Sequence, residues 1–234
     1  MKRCLSFLLC SIIMCFAFAG CNNGTNDQST SETETKTGSN LSVSAENEYD
    51  APDSTANIIE VKSTADSAYS DDLSELVSAS EEVIRGQVQK VVFTNFEGAA
   101  WTKADVLITE SLKGTHKKGD TVSVFMLGGY ISLTDHIAQN KDDSRFADLS
   151  KEQISKTFLK ETVDNEEFVS KGADLIMCLV PTLEDSPLPK GAYERIAYAG
   201  QLSVDKNGNF IQTISGGEKT KTYSYDDIKK IVKK

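Results

Sequence analysis

Residues 58–234 predict a mainly β domain, a small barrel or sandwich for which an OB-like Greek key is the favoured arrangement. Three observations predict this class. About six short runs are rich in β-branched or alternating apolar residues, and turn signals separate them at short intervals. Helical spacing of apolar residues occurs only at the margins and in one polar insertion. We therefore expect peripheral helices and a partly helical insertion around a β core.

The first half of this domain predicts one helix and three strands. In residues 71–80 the apolar residues share one helical face, and Ser70 or Asp71 can cap the helix. Residues 83–96 are dense in β-branched residues and predict a strand, with Gly86 as a bulge. Two further runs, which alternate apolar and polar residues as half-buried strands do, are residues 100–112 and 121–127.

A long polar insertion, residues 132–171, follows these strands. Its one helix signal is a capping box formed by Ser150 and Gln153. Ile154 and Phe158 follow at i, i+4 spacing, so both side chains can dock on the body of the domain from one face of a helix.

The chain after the insertion predicts a buried strand, a hairpin and a last helix. Residues 173–180 form a continuous apolar run that is typical of a buried strand. Residues 193–204 and 210–214 flank an Asn-Gly dipeptide, which is the strongest short hairpin signal. Ser224 and Asp227 begin a helix whose last turn is rich in lysine, as suits a helix C-terminus.

Residues 1–20 predict a bacterial lipoprotein signal sequence. Lys2 and Arg3 precede an apolar run of about 17 residues, which is short for a membrane span. The run ends in small residues before a cysteine, and this resembles a lipobox. The resemblance implies cleavage between Gly20 and Cys21 and a lipid on Cys21, so the partner of this end is the membrane and the location is its outer face. An uncleaved anchor or an ordinary signal peptide are the alternatives.

Residues 21–57 predict a lipidated cysteine followed by a disordered tether. Of the 36 residues from 22 to 57, 18 are Ser, Thr or Asn, and large apolar side chains are almost absent. Such a segment cannot bury enough surface to offset its backbone entropy. After cleavage and lipidation only Cys178 remains as a free thiol, so no intramolecular disulfide is possible, and its apolar strand predicts an inert thiol.

Charge and motif content exclude several functional classes. The formal net charge is −10, and it becomes −12 without residues 1–20, which carry two basic residues and no acid. A strongly basic nucleic-acid binder is therefore excluded. The two histidines cannot form a three-histidine zinc site, and no G-x-S-x-G motif accompanies the Asp135-His136 pair. We expect no enzymatic activity and no cofactor.

Two sets of residues are candidates for ligand binding. Carboxylates concentrated in the insertion could bind Ca²⁺ or a cationic partner, and the candidates are Asp142, Asp143, Glu166 and Glu167. Aromatic residues on strands could line a sugar- or peptide-binding face, and here the candidates are Trp101 and Tyr130.

The order of five short motifs carries a family resemblance. They are VLITESLKG at 106–114, GDTVSV at 119–124, GGY at 128–130, GADLIM at 172–177 and GQLSV at 200–204. Together they resemble an uncharacterised family of secreted and lipid-anchored proteins of Gram-positive bacteria. The resemblance implies a barrel-like extracytoplasmic β domain and assigns no catalytic residue.

These observations predict an extracytoplasmic, lipid-anchored β domain that acts as a non-catalytic binding or interaction module at the cell surface. Its partner would be a protein or a cell-wall component, and nucleic acid is not expected. The alternative is a solute- or metal-binding lipoprotein that uses the acidic insertion. The sequence contains no signal for a particular oligomeric state.

Overall fold

The computed structural model describes residues 46–64, 69–141, 143–164, 166–214 and 219–234. All of them belong to one compact unit, Leu41–Lys234. The predicted signal sequence, with Gly20 and Cys21, lies outside the described residues.

The described residues form twelve strands and four short α-helices. The strands are β1 (Glu46–Tyr49), β2 (Asn57–Ser63), β3 (Glu82–Phe96), β4 (Ala99–Lys113), β5 (Thr121–Leu127), β6 (Gly129–Ser132), β7 (Thr157–Val163), β8 (Asp174–Pro181), β9 (Tyr193–Arg195), β10 (Gln201–Val204), β11 (Phe210–Thr213) and β12 (Thr220–Tyr223). The α-helices are α1 (Leu73–Ala79), α2 (Leu133–Gln139), α3 (Lys151–Ser155) and α4 (Tyr225–Val232).

Five strands of the larger sheet close into a ring. The sheet order is β1-β3-β4-β5-β9-β8-β10-β11-β12, and an additional pairing of β3 with β8 closes the ring β3-β4-β5-β9-β8. Along the chain, the first ring strand pairs with the second and the fourth, while the third and fifth pair in parallel. This is the arrangement of an OB-like Greek-key barrel, so the predicted fold class is confirmed.

The barrel interior is filled by alternate side chains of its long strands. These buried residues are Ile84, Val88, Ala104, Val106, Ile108, Val122, Val124, Met126, Leu175, Met177 and Leu179. The predicted bulge is confirmed, because the β3–β4 register shifts between Arg85 and Gly86. A Cβ atom on Gly86 would lie 2.4 Å from a methyl group of Val106, so only glycine allows β4 to approach this closely.

A second, three-stranded sheet has the order β2-β7-β6. Its central strand, β7, lies inside the predicted insertion, whose capping box at Ser150 and Gln153 is confirmed. The expected helical pairing of Ile154 with Phe158 is wrong, because α3 ends at Ser155 and Phe158 belongs to β7. The insertion is therefore partly helical, as predicted, but it also supplies the middle of a sheet.

The predicted end of the tether needs a correction. β1 lies within the supposed disordered segment, where it pairs antiparallel with β3. The Tyr49 hydroxyl accepts a hydrogen bond from the Asn95 side chain and donates one to Asp135, both at 2.8 Å. A strand at a sheet edge is held by backbone hydrogen bonds to its neighbour, so a low apolar content did not prevent its formation. The folded part of the chain begins before residue 58.

A second core lies under α1 and α4, against β8, β10 and β11. Its buried members include Leu73, Leu76, Ile176, Cys178, Leu202, Phe210 and Ile228. The predicted cap of α1 is off by one residue, since Asp72 accepts from the amides of Ser74 and Glu75. The predicted hairpin is confirmed as β10–β11, whereas the run 193–204 is broken by a short 3-10 turn at Tyr198–Gly200. Burial raises the pKa of the Cys178 thiol to about 12, in line with an inert thiol.

Candidate ligand-binding cleft

A cleft of about 350 Å³ opens on the outer face of β4 and β5, the second and third strands of the barrel. Side chains that alternate with those of the barrel interior line it from the strands, including Lys103 and Phe125. Its rim comes from the loop of residues 182–192, which joins β8 to β9 and contributes Lys190. In an OB barrel the face of strands two and three and the loop between strands four and five form the ligand-binding surface.

The lysine and glutamate side chains that line the cleft are Lys103, Lys190 and Glu48. Lys103 Nζ donates to the Glu48 carboxylate at 2.6 Å, and Lys90 Nζ lies 3.6 Å from the same carboxylate. The hydrogen bond from Lys103 holds the pKa of Glu48 below its usual value. In the described part of the chain no ion pair involves Lys190, which is exposed at the rim. The lining therefore carries more positive than negative charge, although the whole protein is acidic.

The cleft also contains a buried hydroxyl group without a partner. Thr94 on β3 lines the cleft with only 1% of its surface exposed. Among the described residues none forms a hydrogen bond with its Oγ1 atom. A buried polar atom without a hydrogen bond lowers the stability of the fold. A ligand that forms a hydrogen bond with the Thr94 hydroxyl would remove this cost.

His116 and Tyr193 form the far wall of the cleft. His116 Nε2 lies 3.1 Å from the Tyr193 hydroxyl, and the two rings pack edge to face with centroids 5.4 Å apart. Burial, together with the negative charges of Glu82 and Glu81, raises the pKa of Tyr193. The wall thus presents an aromatic surface that is braced by a polar contact.

An apolar cluster holds the rim loop against the barrel. Its buried members are Phe96, Phe125, Leu188 and Ala192, and Trp101 packs against them. This packing places Trp101, the single tryptophan of the chain, beside the residues that close the cleft. A ligand that moves the rim loop would alter the surroundings of this indole ring.

Trp101 and Tyr130 do not form the common face that the sequence suggested. Trp101 lies opposite Thr94, whereas Phe93 lies opposite Thr102, and neighbouring residues of a strand point to opposite faces. The Tyr130 ring packs on Phe93, with centroids 4.9 Å apart. The two aromatic side chains therefore belong to opposite faces of the β3–β4 ribbon.

The acidic candidates are dispersed among different interactions. Asp142 lies outside the described residues. Asp143 accepts hydrogen bonds from Arg145 and lies 3.1 Å from His136 Nε2, and these two partners hold its pKa well below the usual range. Glu166 forms a buried ion pair with Arg195. Within the described ranges, no three His, Cys, Asp or Glu side chains are grouped so that they could hold a metal ion.

His136 is buried, although it lies in a polar insertion. Only 6% of its surface is accessible, and its ring lies between Asp143 and Glu161, with Nδ1 3.8 Å from the Glu161 carboxylate. Its neighbour Asp135 lies in the first turn of α2, where its carboxylate accepts hydrogen bonds from the N-cap residue Ser132 and from the Tyr49 hydroxyl. These contacts give the Asp135-His136 pair a structural role at the junction of the two sheets.

The sequence did not point to the residues that line the cleft. Lys103 was recognisable only as an outward-facing residue of an alternating strand, and His116 as part of a turn. Thr94, Lys190 and Glu48 come from three other segments, which barrel closure and the pairing of β1 with β3 bring together. The one available signal was the predicted OB-like fold, whose usual ligand face includes β4 and β5.

Fold and cleft together define this chain as an OB-like β-barrel protein with a concave, donor-rich outer face. Comparison with protein-family models, with curated proteins and with solved structures finds no match to it. None of the described helices has the length and apolar character needed to span a bilayer. Since a fold of this kind serves many functions, the geometry of the site is what bears on the function of this protein.

Proposed function

We propose that this protein is a lipid-anchored, extracytoplasmic binding module that holds an acidic saccharide of the cell surface in the β4–β5 cleft, without catalysing a reaction. The signal-like residues 1–20 and the lipobox-like Gly20-Cys21 support the anchor, with Cys21 as the lipidated residue. The family resemblance supports the same location. A flexible tether between Cys21 and the barrel would let the cleft reach ligands beyond the membrane surface.

The observation that carries the ligand class is the surplus of hydrogen-bond donors in the cleft. Lys103, Lys190 and the unpartnered Thr94 hydroxyl line it, against the single carboxylate of Glu48. Ammonium groups form their strongest hydrogen bonds with ionised acceptors. Saccharides offer hydroxyl acceptors for Thr94 and an apolar ring face for Tyr193, and an acidic substituent would meet the two lysines. A cleft of about 350 Å³ accommodates a ligand of one or two sugar rings.

The alternative of a metal- or solute-binding protein that uses the acidic insertion is less well supported. Asp143 and Glu166 are engaged by arginine side chains. A cation would have to compete with these guanidinium groups, and a Ca²⁺ site needs six or more oxygen ligands.

Binding can be measured through the fluorescence of Trp101 in the full-length chain, purified in detergent micelles. N-acetylmuramate and N-acetylglucosamine form a matched pair, because they differ only by a lactyl ether that carries a carboxylate. We expect N-acetylmuramate to give a saturable change in fluorescence. N-acetylglucosamine should bind at least about tenfold more weakly, because it lacks the carboxylate that accepts a charge-assisted hydrogen bond.

Two substitutions locate the site. Lys103→Met keeps the apolar stem and removes the ammonium group, and Thr94→Val removes the hydroxyl with little change of shape. Both should weaken binding of N-acetylmuramate, whereas Lys221→Met on the exposed edge strand β12 should leave it unchanged. Equal binding of the two sugars, or full binding by Lys103→Met, would contradict the proposal.

A further inference from the structure

A groove of about 420 Å³ lies on the solvent face of the second sheet, separate from the cleft. Side chains of all three strands line it, from Glu60 and Lys62 on β2 across Lys160 on β7 to Tyr130 on β6. The opposite face of the same sheet packs on a buried core around Leu159. The groove is therefore the polar side of a sheet with one buried face, closed at one end by the segment that follows β7.

The register of the strands explains how charges of both signs meet in this groove. Glu60 lies directly opposite Lys160, and Lys160 lies opposite Tyr130, so these three side chains form one row across the sheet. Lys62 lies opposite Thr162 in the next row on the same face. Side chains alternate between the two faces along a strand. Because the residues between these positions point into the buried core, the residues of the two rows point into the groove.

Two charges in the groove remain for a ligand. Glu60 and Lys160 pair loosely, with an Nζ to Oε1 distance of 3.5 Å. Lys62 and Glu167 are both exposed, and in the described part of the chain neither belongs to an ion pair. Glu166 is occupied by Arg195 in a buried pair, so it braces the segment after β7. The groove thus presents one unpaired ammonium group and one unpaired carboxylate.

An aromatic cluster forms one wall of the groove. The Tyr130 and Phe168 rings pack edge to face with centroids 5.5 Å apart, and both rest on Phe93 of β3. Gly128 and Gly129 bring β6 close enough for this contact, since a Cβ on Gly129 would lie 2.9 Å from the Phe93 ring. The wall can pack against an apolar portion of a ligand whose charged ends meet Lys62 and Glu167.

From this arrangement we infer that the groove is a second binding site, specific for small zwitterions that carry a free ammonium and a free carboxylate, such as short peptides with unmodified ends. Two lysines and three glutamates line the groove, and Arg195 neutralises one of the glutamates, Glu166. The remaining charges sum to about zero, which favours neither a polyanion nor a metal cation. A zwitterion can satisfy both unpaired charges at once. The site is independent of the proposed saccharide cleft, because it lies on another sheet.

The test is calorimetric titration of the full-length chain, in detergent micelles, with alanyl-alanine and three derivatives of it. The derivatives are the N-acetylated dipeptide, the dipeptide amide and the peptide with both modifications. We expect alanyl-alanine to bind, each single modification to weaken binding by about tenfold, and the doubly modified peptide to bind weakest.

Variants then match each charge of the peptide to its partner. In Lys62→Gln the dipeptide and its amide should bind equally, because the partner of the carboxylate is gone. In Glu167→Gln the dipeptide and its N-acetylated derivative should bind equally, because the partner of the ammonium group is gone. Lys221→Gln and Glu184→Gln are exposed controls outside the groove, and both should behave like the unmodified chain. All four are surface changes, so unchanged melting temperatures should show that the fold is kept.

Three results would overturn the inference. They are a dissociation constant for alanyl-alanine weaker than about 10 mM, equal affinity for all four peptides, or charge selectivity that persists in both groove variants. The saccharide titration followed by Trp101 fluorescence is unaffected by any of them, so failure of this site and failure of the cleft are distinguishable.

Discussion

The ammonium group of Lys103 lies 2.6 Å from the carboxylate of Glu48. This contact joins the barrel to β1, a strand that lies in the segment expected to be a disordered tether. Glu48 also lies within 3.6 Å of Lys90 on the neighbouring strand. The strand β1 thus contributes Glu48 to the lining of the cleft.

Docking of β1 predicts a measurable effect of Tyr49→Phe. The substitution removes the hydroxyl that bonds to Asn95 and Asp135. Loss of these partly buried hydrogen bonds should lower the free energy of unfolding by about 1–3 kcal/mol. Denaturant titration of the full-length chain measures this change.

Deletion of residues 22–45 is the matched control for this prediction. We expect the shortened chain to be as stable as the full-length chain, because the deletion ends before β1. An unchanged stability of Tyr49→Phe, or a large loss on deletion, would place the boundary of the folded unit elsewhere.

Gly114 and Gly119 provide a matched pair of substitutions. Both have a left-handed backbone, with φ of 108° and 98°. An alanine Cβ at Gly119 has open space around it, whereas at Gly114 it would lie 2.0 Å from the Glu82 carboxylate. Glu82 is fully buried and accepts hydrogen bonds from the amide and hydroxyl of Thr115.

Gly119→Ala should therefore cost only the backbone strain, about 1–2 kcal/mol. Gly114→Ala also displaces the buried Glu82 carboxylate from its hydrogen-bond donors, for which about 1–3 kcal/mol more is expected. Thermal and chemical unfolding of both variants gives the difference. If the two losses were equal, the carboxylate would not be held where the structure places it.

The elements that could be predicted from sequence are those whose pattern is local. Buried positions alternate with partly exposed ones over residues 99–108 of β4 and at the start of β5. β8 is almost continuously apolar because both of its faces are covered. β7 was missed, since Leu159 is its one fully buried apolar residue and its partner β2 lies about 100 residues away in parallel register. Such pairing depends on the whole topology.

The candidate sites were predictable to a smaller extent. Tyr130, Glu166 and Glu167 were proposed in two separate sets, and the structure brings them into one groove. The cleft was not predicted, because its lysines look like ordinary exposed charges and Thr94 like an ordinary strand residue. What distinguishes Thr94 is burial without a partner, which becomes visible only when β3, β4 and the rim loop are assembled.

The lowered pKa of Asp143 predicts that the stability of the fold depends on pH in the acidic range. Its pKa is lowered in the folded state, first by the hydrogen bonds from Arg145 and then by His136. An ionised Asp143 therefore stabilises the fold at pH values above its unfolded pKa of about 4, and this contribution is lost as the pH falls through the lowered folded pKa.

The variant Asp143→Asn should be less stable than the unmodified chain at neutral pH, and the difference should shrink as the pH falls below about 4. Urea titrations at several pH values measure it. Asp148→Asn is the control, because Asp148 is exposed nearby and forms no ion pair within the described ranges. A difference between Asp143→Asn and the unmodified chain that is constant with pH would exclude the ionic contribution of Asp143.

The last prediction concerns the competition between Glu48 and an acidic ligand, and it rests on the proposed function. A ligand carboxylate that binds Lys103 would lie near the Glu48 carboxylate, which repels it. Glu48→Gln removes this charge and should tighten binding of N-acetylmuramate by about threefold or more, while N-acetylglucosamine is unaffected. The gain should diminish with added salt, since screening weakens the repulsion in the parent protein. Glu60→Gln on the second sheet is the control and should change neither affinity. Weaker binding of N-acetylmuramate by Glu48→Gln would show instead that Glu48 holds Lys103 in its binding position.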